Sequence, residues 1–224
     1  SYGILAQSIS GGGGLQIGGK PVGSTTADFF GSGSRSGSVN DDGVNDPNSG
    51  NSGLFVSVGD NITTSGKGAI GILAQSIGGG GGLAGATGWT EQFFGMSGGT
   101  HMSGSGGYIN VNVDAGVSIS TTGDGTPAIF LQSIGGGGGR ISNKDGAFIG
   151  TAGGSGQGGA IDVTISGSIQ TTGYSSLGVF AQSQGDNSSN APISVTVASG
   201  GLIQVGTNSV PTGYNGTSAG IYID

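Results

Sequence analysis

Gly71-Ile-Leu-Ala-Gln-Ser-Ile77 is the stretch that decides the fold, because the chain repeats it. Near-copies stand at Gly3-Ile-Leu-Ala-Gln-Ser-Ile9, Ala128-Ile-Phe-Leu-Gln-Ser-Ile134 and Gly178-Val-Phe-Ala-Gln-Ser-Gln184. The first three copies run on into polyglycine, at 11–14, 78–82 and 135–139. A single globular core has no use for the same seven residues four times. A stack of similar units does, since each unit must fit the one below it.

Working outward from the phrase, each full copy is preceded by an alternating segment: Leu54-Phe-Val-Ser-Val58, Tyr108-Ile-Asn-Val-Asn-Val113, Ala160-Ile-Asp-Val-Thr-Ile165 and Pro192-Ile-Ser-Val-Thr-Val197. Apolar residues at every second position predict a strand with one buried face. A second short strand follows and ends at a glycine: Ile62-Thr-Thr-Ser-Gly66, Ile119-Ser-Thr-Thr-Gly123, Ile169-Gln-Thr-Thr-Gly173 and Ile203-Gln-Val-Gly206. That glycine is expected to take a positive φ and turn the corner into the phrase. Three short strands per unit, with no 3.6-residue period anywhere, predict an all-β parallel β-helix (solenoid). Its units are residues 1–9, 54–77, 108–134, 160–184 and 192–224, within one repeat fragment over 1–224.

Between units lie glycine-rich excursions at 10–53, 78–107 and 135–159, and the fourth copy of the phrase has none. Variable length is the behaviour of loops. The phrase is apolar on both faces, with Ile72, Ala74 and Ser76 pointing one way and Leu73, Gln75 and Ile77 the other. Its outer face therefore needs a cover, and the excursions are expected to pack on it. The alternative is that each excursion is itself a degenerate coil. Their bulky pairs, Phe29-Phe30, Phe93-Phe94 and Phe148-Ile149, are expected to be buried there. The polyglycine runs are expected to be ordered side by side as a layer on that outer face, exchanging main-chain hydrogen bonds as extended polyproline-II-like strands could, since a backbone without Cβ atoms can approach its neighbours closely. Val58, Val113, Ile165 and Val197 should share one column. Gln7, Gln75, Gln132 and Gln182 should form an amide ladder.

Composition closes off other classes. Of 224 residues 56 are Gly but only 5 are Pro, and no Gly-X-Y period exists, which excludes collagen. Charged residues are 8% and apolar residues 33%, the latter in β-branched runs, so the chain is not disordered through excess charge. Without Cys there is no disulfide framework. A net charge of −7 with scattered Lys20, Arg35, Lys67, Arg140 and Lys144 argues against nucleic acid and anionic membranes. No apolar run reaches the roughly 20 residues of a spanning helix. The chain opens inside the phrase at Ser1-Tyr2-Gly3-Ile4 and closes in it at Gly220-Ile-Tyr-Ile-Asp224, with Asp224 in the Gln column. It is therefore expected to be a fragment of something longer.

The phrase with its polyglycine tail, between Val-x-Val and Ile-x-Thr-x-Gly strands, resembles the passenger region of large autotransporter (type V secretion) adhesins of Gram-negative bacteria. The resemblance covers nearly the whole chain, with 10–53 matched only loosely. It implies a right-handed β-helical passenger at the cell surface, exported through a C-terminal outer-membrane barrel that lies outside these residues. The expected role is a structural shaft that mediates or displays adhesion. Its partner would be a surface ligand, whether glycan, host protein or sister cell, with no membrane insertion by this segment.

Chemistry is sparse. The lone His101 has no Cys and no nearby carboxylate, so neither a zinc site nor a Ser-His-Asp triad can be assembled around it. Asp41, Asp42 and Asp46, with Asn48, form a dense oxygen cluster. It reads as a solvated acidic loop, with calcium as the alternative, and it matches neither the EF-hand nor the nonapeptide spacing. Asp60, Asp124 and Asp186 sit in turn settings and read as turn formers. The polyglycine runs lack the helix and Lys-Ser/Thr of a phosphate cradle. No catalytic, cofactor or metal residues are assigned, and no enzymatic activity is expected. The alternatives are a β-helical polysaccharide lyase or hydrolase acting through carboxylates, and an ice-binding array built on Thr63-Thr64, Thr121-Thr122 and Thr171-Thr172.

Overall fold

A computed structural model of the chain describes residues 2–9, 13–17, 53–79, 81–85, 104–142, 148–150, 156–185, 191–206 and 218–224. Among these residues the chain is all-β, with no helix. The phrase forms β1 (Tyr2–Ile9), β5 (Ile70–Ile77), β9 (Ile129–Ile134), β14 (Leu177–Gln184) and β17 (Ala219–Ile223), which pair in that order as one parallel sheet. The alternating segments, β3 (Leu54–Val58), β7 (Ile109–Val113), β12 (Ile161–Ile165) and β15 (Ile193–Val197), make a second parallel sheet. The Thr-containing segments, β4 (Ile62–Thr64), β8 (Ser118–Thr121), β13 (Ser168–Thr171) and β16 (Leu202–Gln204), make a third.

Register follows the repeat residue for residue. Val58 pairs with Val113, Val113 with Ile165 and Ile165 with Val197, the column expected from the sequence. The inner residues of all three sheets join a single apolar cluster, including Ile72, Val111, Ile119, Leu131, Val163, Ile169 and Val179. Each fully buried side chain of this size contributes roughly 1.5–3 kcal/mol. The alternation in β7 and β12 is thus the signature of one face in this shared core and one face out.

The three inner strands of the phrase sheet, β5, β9 and β14, are buried on both faces. Ile72 and Ala74 belong to the inner cluster, while Leu73, Phe130 and Phe180 form a second cluster on the other side with Ile70 and Leu177. Ile70 and Leu73, three residues apart on either side of Gly71, join the same cluster. A Cβ on Gly71 would lie 2.7 Å from Ile119 Cγ2 and 2.6 Å from the Ala128 carbonyl oxygen. On the outer face Phe130 stacks on Phe180 at 4.7 Å and Phe180 on Tyr222 at 5.6 Å. Such ring pairs add about 0.5–1.5 kcal/mol each beyond their area.

The bases of the first three excursions are strand. β2 (Gly13–Ile17), β6 (Gly81–Gly85) and β10 (Gly138–Ser142) pair in parallel, and β11 (Phe148–Gly150) returns antiparallel to β10. The glycine ends are therefore ordered side by side and bonded backbone to backbone, as expected, and the conformation in which they do so is the β-strand rather than a polyproline-II-like one. Isolated polyproline II leaves its N–H and C=O groups to water. Here, with no Cβ in the way, those groups bond their neighbours instead. A Cβ on Gly139 would stand 2.0 Å from the Gly82 carbonyl oxygen. Phe29, Phe30, Phe93 and Phe94 lie outside the described residues, as do the side chains of Phe148 and Ile149.

The corners differ from expectation in one respect. Gly66 and Gly206 do take positive φ, 95° and 59°. Gly123 and Gly173 do not, and glycine is required there by close stacking: their Cβ atoms would meet the carbonyl oxygens of Gly66 and Gly123 at 1.9 and 2.1 Å. The positive φ falls two residues later, at Gly125 (61°) and Ser175 (55°).

Candidate functional site

The recurring polar residues of the phrase are internal. Gln7 Nε2 donates to Gln75 Oε1 at 2.7 Å, Gln75 Nε2 to Gln132 Oε1 at 2.8 Å, and Gln132 Nε2 to Gln182 Oε1 at 2.6 Å. Gln182 continues the run by donating to Asp224 Oδ2 at 2.9 Å, so Asp224 does occupy the Gln column. Gln75 and Gln132 also donate to the carbonyl oxygens of Gly82 and Gly139, each at 3.2 Å, which ties the glycine sheet to the phrase sheet. The neighbouring serines zigzag through the excursion ends. Gly107 N–H donates to Ser76 Oγ, Ser133 Oγ–H to the Gly107 carbonyl, Gly159 N–H to Ser133 Oγ, and Ser183 Oγ–H to the Gly159 carbonyl. Gln75, Gln132 and Gln182 are at most 1% exposed, so the ladder holds the stack together and meets no solvent ligand.

The Thr pairs do not build an outward array. Thr64 pairs with Thr121, and Thr121 with Thr171, in one buried column. Thr63, Ser120, Gln170 and Gln204 stand outward on one side of it, a mixed set, and just past the strand ends Thr122 is exposed and Thr172 half-buried. Because the strand alternates faces, adjacent Thr residues cannot both present hydroxyls to the same solvent plane.

Of the acids, Asp28, Asp41, Asp42, Asp46, Glu91, Asp145 and Asp186 lie outside the described residues, as does His101. Asp60 and Asp114 are exposed at corners. Asp124 sits in a turn, and its carboxylate accepts the Tyr174 backbone N–H of the next unit at 3.3 Å, so it links units as well as turning the chain. Beside Asp60 it is Asn61 that makes the corresponding link, accepting the Ser118 N–H at 2.7 Å. Among the described residues no three of His, Cys, Asp and Glu converge as a metal site.

A different set of groups gathers on the outward face of the β3-β7-β12-β15 sheet. Phe55, Asn110, Asp162 and Ser194 occupy one outward column. Ser57, Asn112, Thr164 and Thr196 occupy the next. Phe55 is 46% exposed and meets the Tyr108 ring edge-on at 5.7 Å and 67°. Tyr108 donates its hydroxyl to Asp162 Oδ2 at 2.8 Å and accepts from Asn110 Nδ2 at 3.1 Å, while Asn112 Nδ2 donates to Asn110 Oδ1 at 3.0 Å. Together they border a groove of about 310 Å³, lined by Phe55, Val56, Ser57, Tyr108, Asn110 and Asn112.

Sequence reasoning passed over this groove. The clue was present: column alignment puts Phe55 where the other units carry Asn110, Asp162 and Ser194. Only the structure places the Tyr108 ring, which precedes β7, against it. Comparison with protein-family models, curated proteins and solved structures finds no match to this chain.

Proposed function

We propose that the chain is a structural shaft segment of a bacterial cell-surface autotransporter adhesin. In this reading the three parallel sheets wind as the sides of a right-handed β-helix, with the glycine sheet as an outer layer on the phrase face. The observation that carries it is the like-on-like stacking of successive units, summed in the buried Gln7-Gln75-Gln132-Gln182 ladder. Such a stack grows by adding units, each contacting only its neighbours, which suits a part whose task is length and display. It needs no disulfides, in keeping with a chain that has no Cys. The resemblance of the phrase and its polyglycine tail to autotransporter passengers supplies the location: outside a Gram-negative cell, held by a C-terminal outer-membrane barrel beyond these residues. The segment itself neither enters the membrane nor binds nucleic acid, and it acts as a scaffold rather than an enzyme.

Antibody labelling of intact cells of the source bacterium tests the assignment. Surface labelling that extracellular protease removes is expected. Signal that appears only after permeabilisation would overturn it, as would polysaccharide turnover that a single Asp substitution abolishes. Insertion of a second copy of one unit, in register, is expected to lengthen the folded stack by about one strand spacing, roughly 4.8 Å.

A further inference from the structure

We propose that the groove bordered by Phe55, Tyr108, Asn110 and Asn112 binds a neutral saccharide. The inference deepens the adhesin reading by naming the ligand class, and it rests on that reading only for where the ligand is met. A pyranose ring presents an apolar face of C–H groups and a rim of hydroxyls that each donate and accept. The groove offers the complement of both. Phe55 gives a flat apolar surface, 46% exposed, in a column whose other members are polar. Its ring is set by the edge-on contact with Tyr108.

The polar side is oriented before any ligand arrives. Asp162 holds the Tyr108 hydroxyl, which receives one Asn110 N–H, and the Asn110 carbonyl receives one Asn112 N–H. A primary amide has two N–H donors and a carbonyl oxygen. Each Asn therefore keeps a second N–H, and Asn112 its carbonyl, for adjacent hydroxyls of a sugar. Groups already held in place lose little entropy on binding. The volume, about 310 Å³, lies at the small end of ligand clefts, which run roughly 300–1,000 Å³. That suits one or two sugar rings of a longer chain.

Charge selects the neutral class. Among the described residues no cation lines the groove, and the Asp162 carboxylate stands beside it in the Phe55-Asn110 column, so a sulfate or uronate would find no counter-charge. An extended peptide gains little there, since the groove lies on a sheet face whose backbone groups are already paired between strands.

The test is titration of the purified 224-residue chain with a panel of neutral hexose and N-acetylhexosamine oligosaccharides, beside sulfated and uronate-containing ones. Binding is followed by calorimetry. Saturable binding of a neutral oligosaccharide is expected. Phe55→Ala should weaken it by about tenfold or more, an amount equal to about 1.4 kcal/mol. Phe55→Trp should retain it, Asn112→Ala should weaken it, and Thr196→Ala, on the same face but outside the groove, should leave it unchanged. Unaltered circular dichroism in the Phe55 variants shows that the fold is intact. Binding to no neutral oligosaccharide, to anionic ones alone, or with equal strength in Phe55→Ala would overturn the proposal. The titration reads out independently of cell labelling, so the site and the surface assignment can fail separately.

Discussion

Replacing Gln132 by Leu should cost far more than its place in a β-branched sheet suggests. The side chain is fully buried and makes three bonds: it accepts from Gln75 and donates to Gln182 and to the Gly139 carbonyl. Leu fills a similar volume but leaves the Gln182 side-chain oxygen and the Gly139 carbonyl without this donor and one Gln75 N–H without its acceptor. Each such buried orphan costs about 1–3 kcal/mol. After the modest gain from burying an apolar side chain, a net loss of about 2–5 kcal/mol is expected. Gln7→Leu is the comparison, because it leaves a single orphan, the Gln75 oxygen, at a partly exposed end strand. It should cost about half as much. Urea unfolding followed by far-ultraviolet circular dichroism measures both. If Gln132→Leu costs less than about 1 kcal/mol, or no more than Gln7→Leu, the ladder does not stabilise the stack and the reasoning is wrong.

Gln132→Glu should add a pH dependence that the natural chain lacks at this position. Burial disfavours the charged carboxylate, so its folded pKa rises above the unfolded value of about 4.3. The variant should then be nearest to wild type below that value and lose stability as pH rises through the raised folded pKa; a flat difference between acid and neutral pH would count against it. Gly123→Ala should cost about 1–3 kcal/mol or more, because its Cβ would stand 1.9 Å from the Gly66 oxygen. Gly59→Ala, whose nearest neighbour is Asp114 Oδ2 at 3.7 Å, should be close to neutral by the same unfolding assay. Thr121→Val should stabilise the fold by about 1–3 kcal/mol, since the Thr121 hydroxyl is buried and meets no hydrogen-bond partner among the described residues; a lower melting temperature would refute this.

The sequence by itself determined the strands of the repeated units, their order and their register. Side chains in stacked units must fit their own copies, so repetition in the chain becomes repetition in space, and the Val58 column and the Gln ladder could be read directly from aligned repeats. The two-sided burial of the phrase was legible for the same reason, since its apolar residues do not alternate. What only the tertiary structure decided lies between the repeats. Polyglycine carries no side-chain pattern, so nothing in its composition distinguishes a loop from a strand. Its pairing as β2-β6-β10 follows from how closely three bare backbones can approach once the phrase sheet has brought them together. Glycine at 123 and 173 answers to a carbonyl in the preceding unit, not to its own φ, and such a constraint is invisible in a linear chain. The groove at Phe55 was hidden likewise: Phe55 comes from one unit and Tyr108, Asn110 and Asn112 from the next, and their contact exists only when the sheet aligns them.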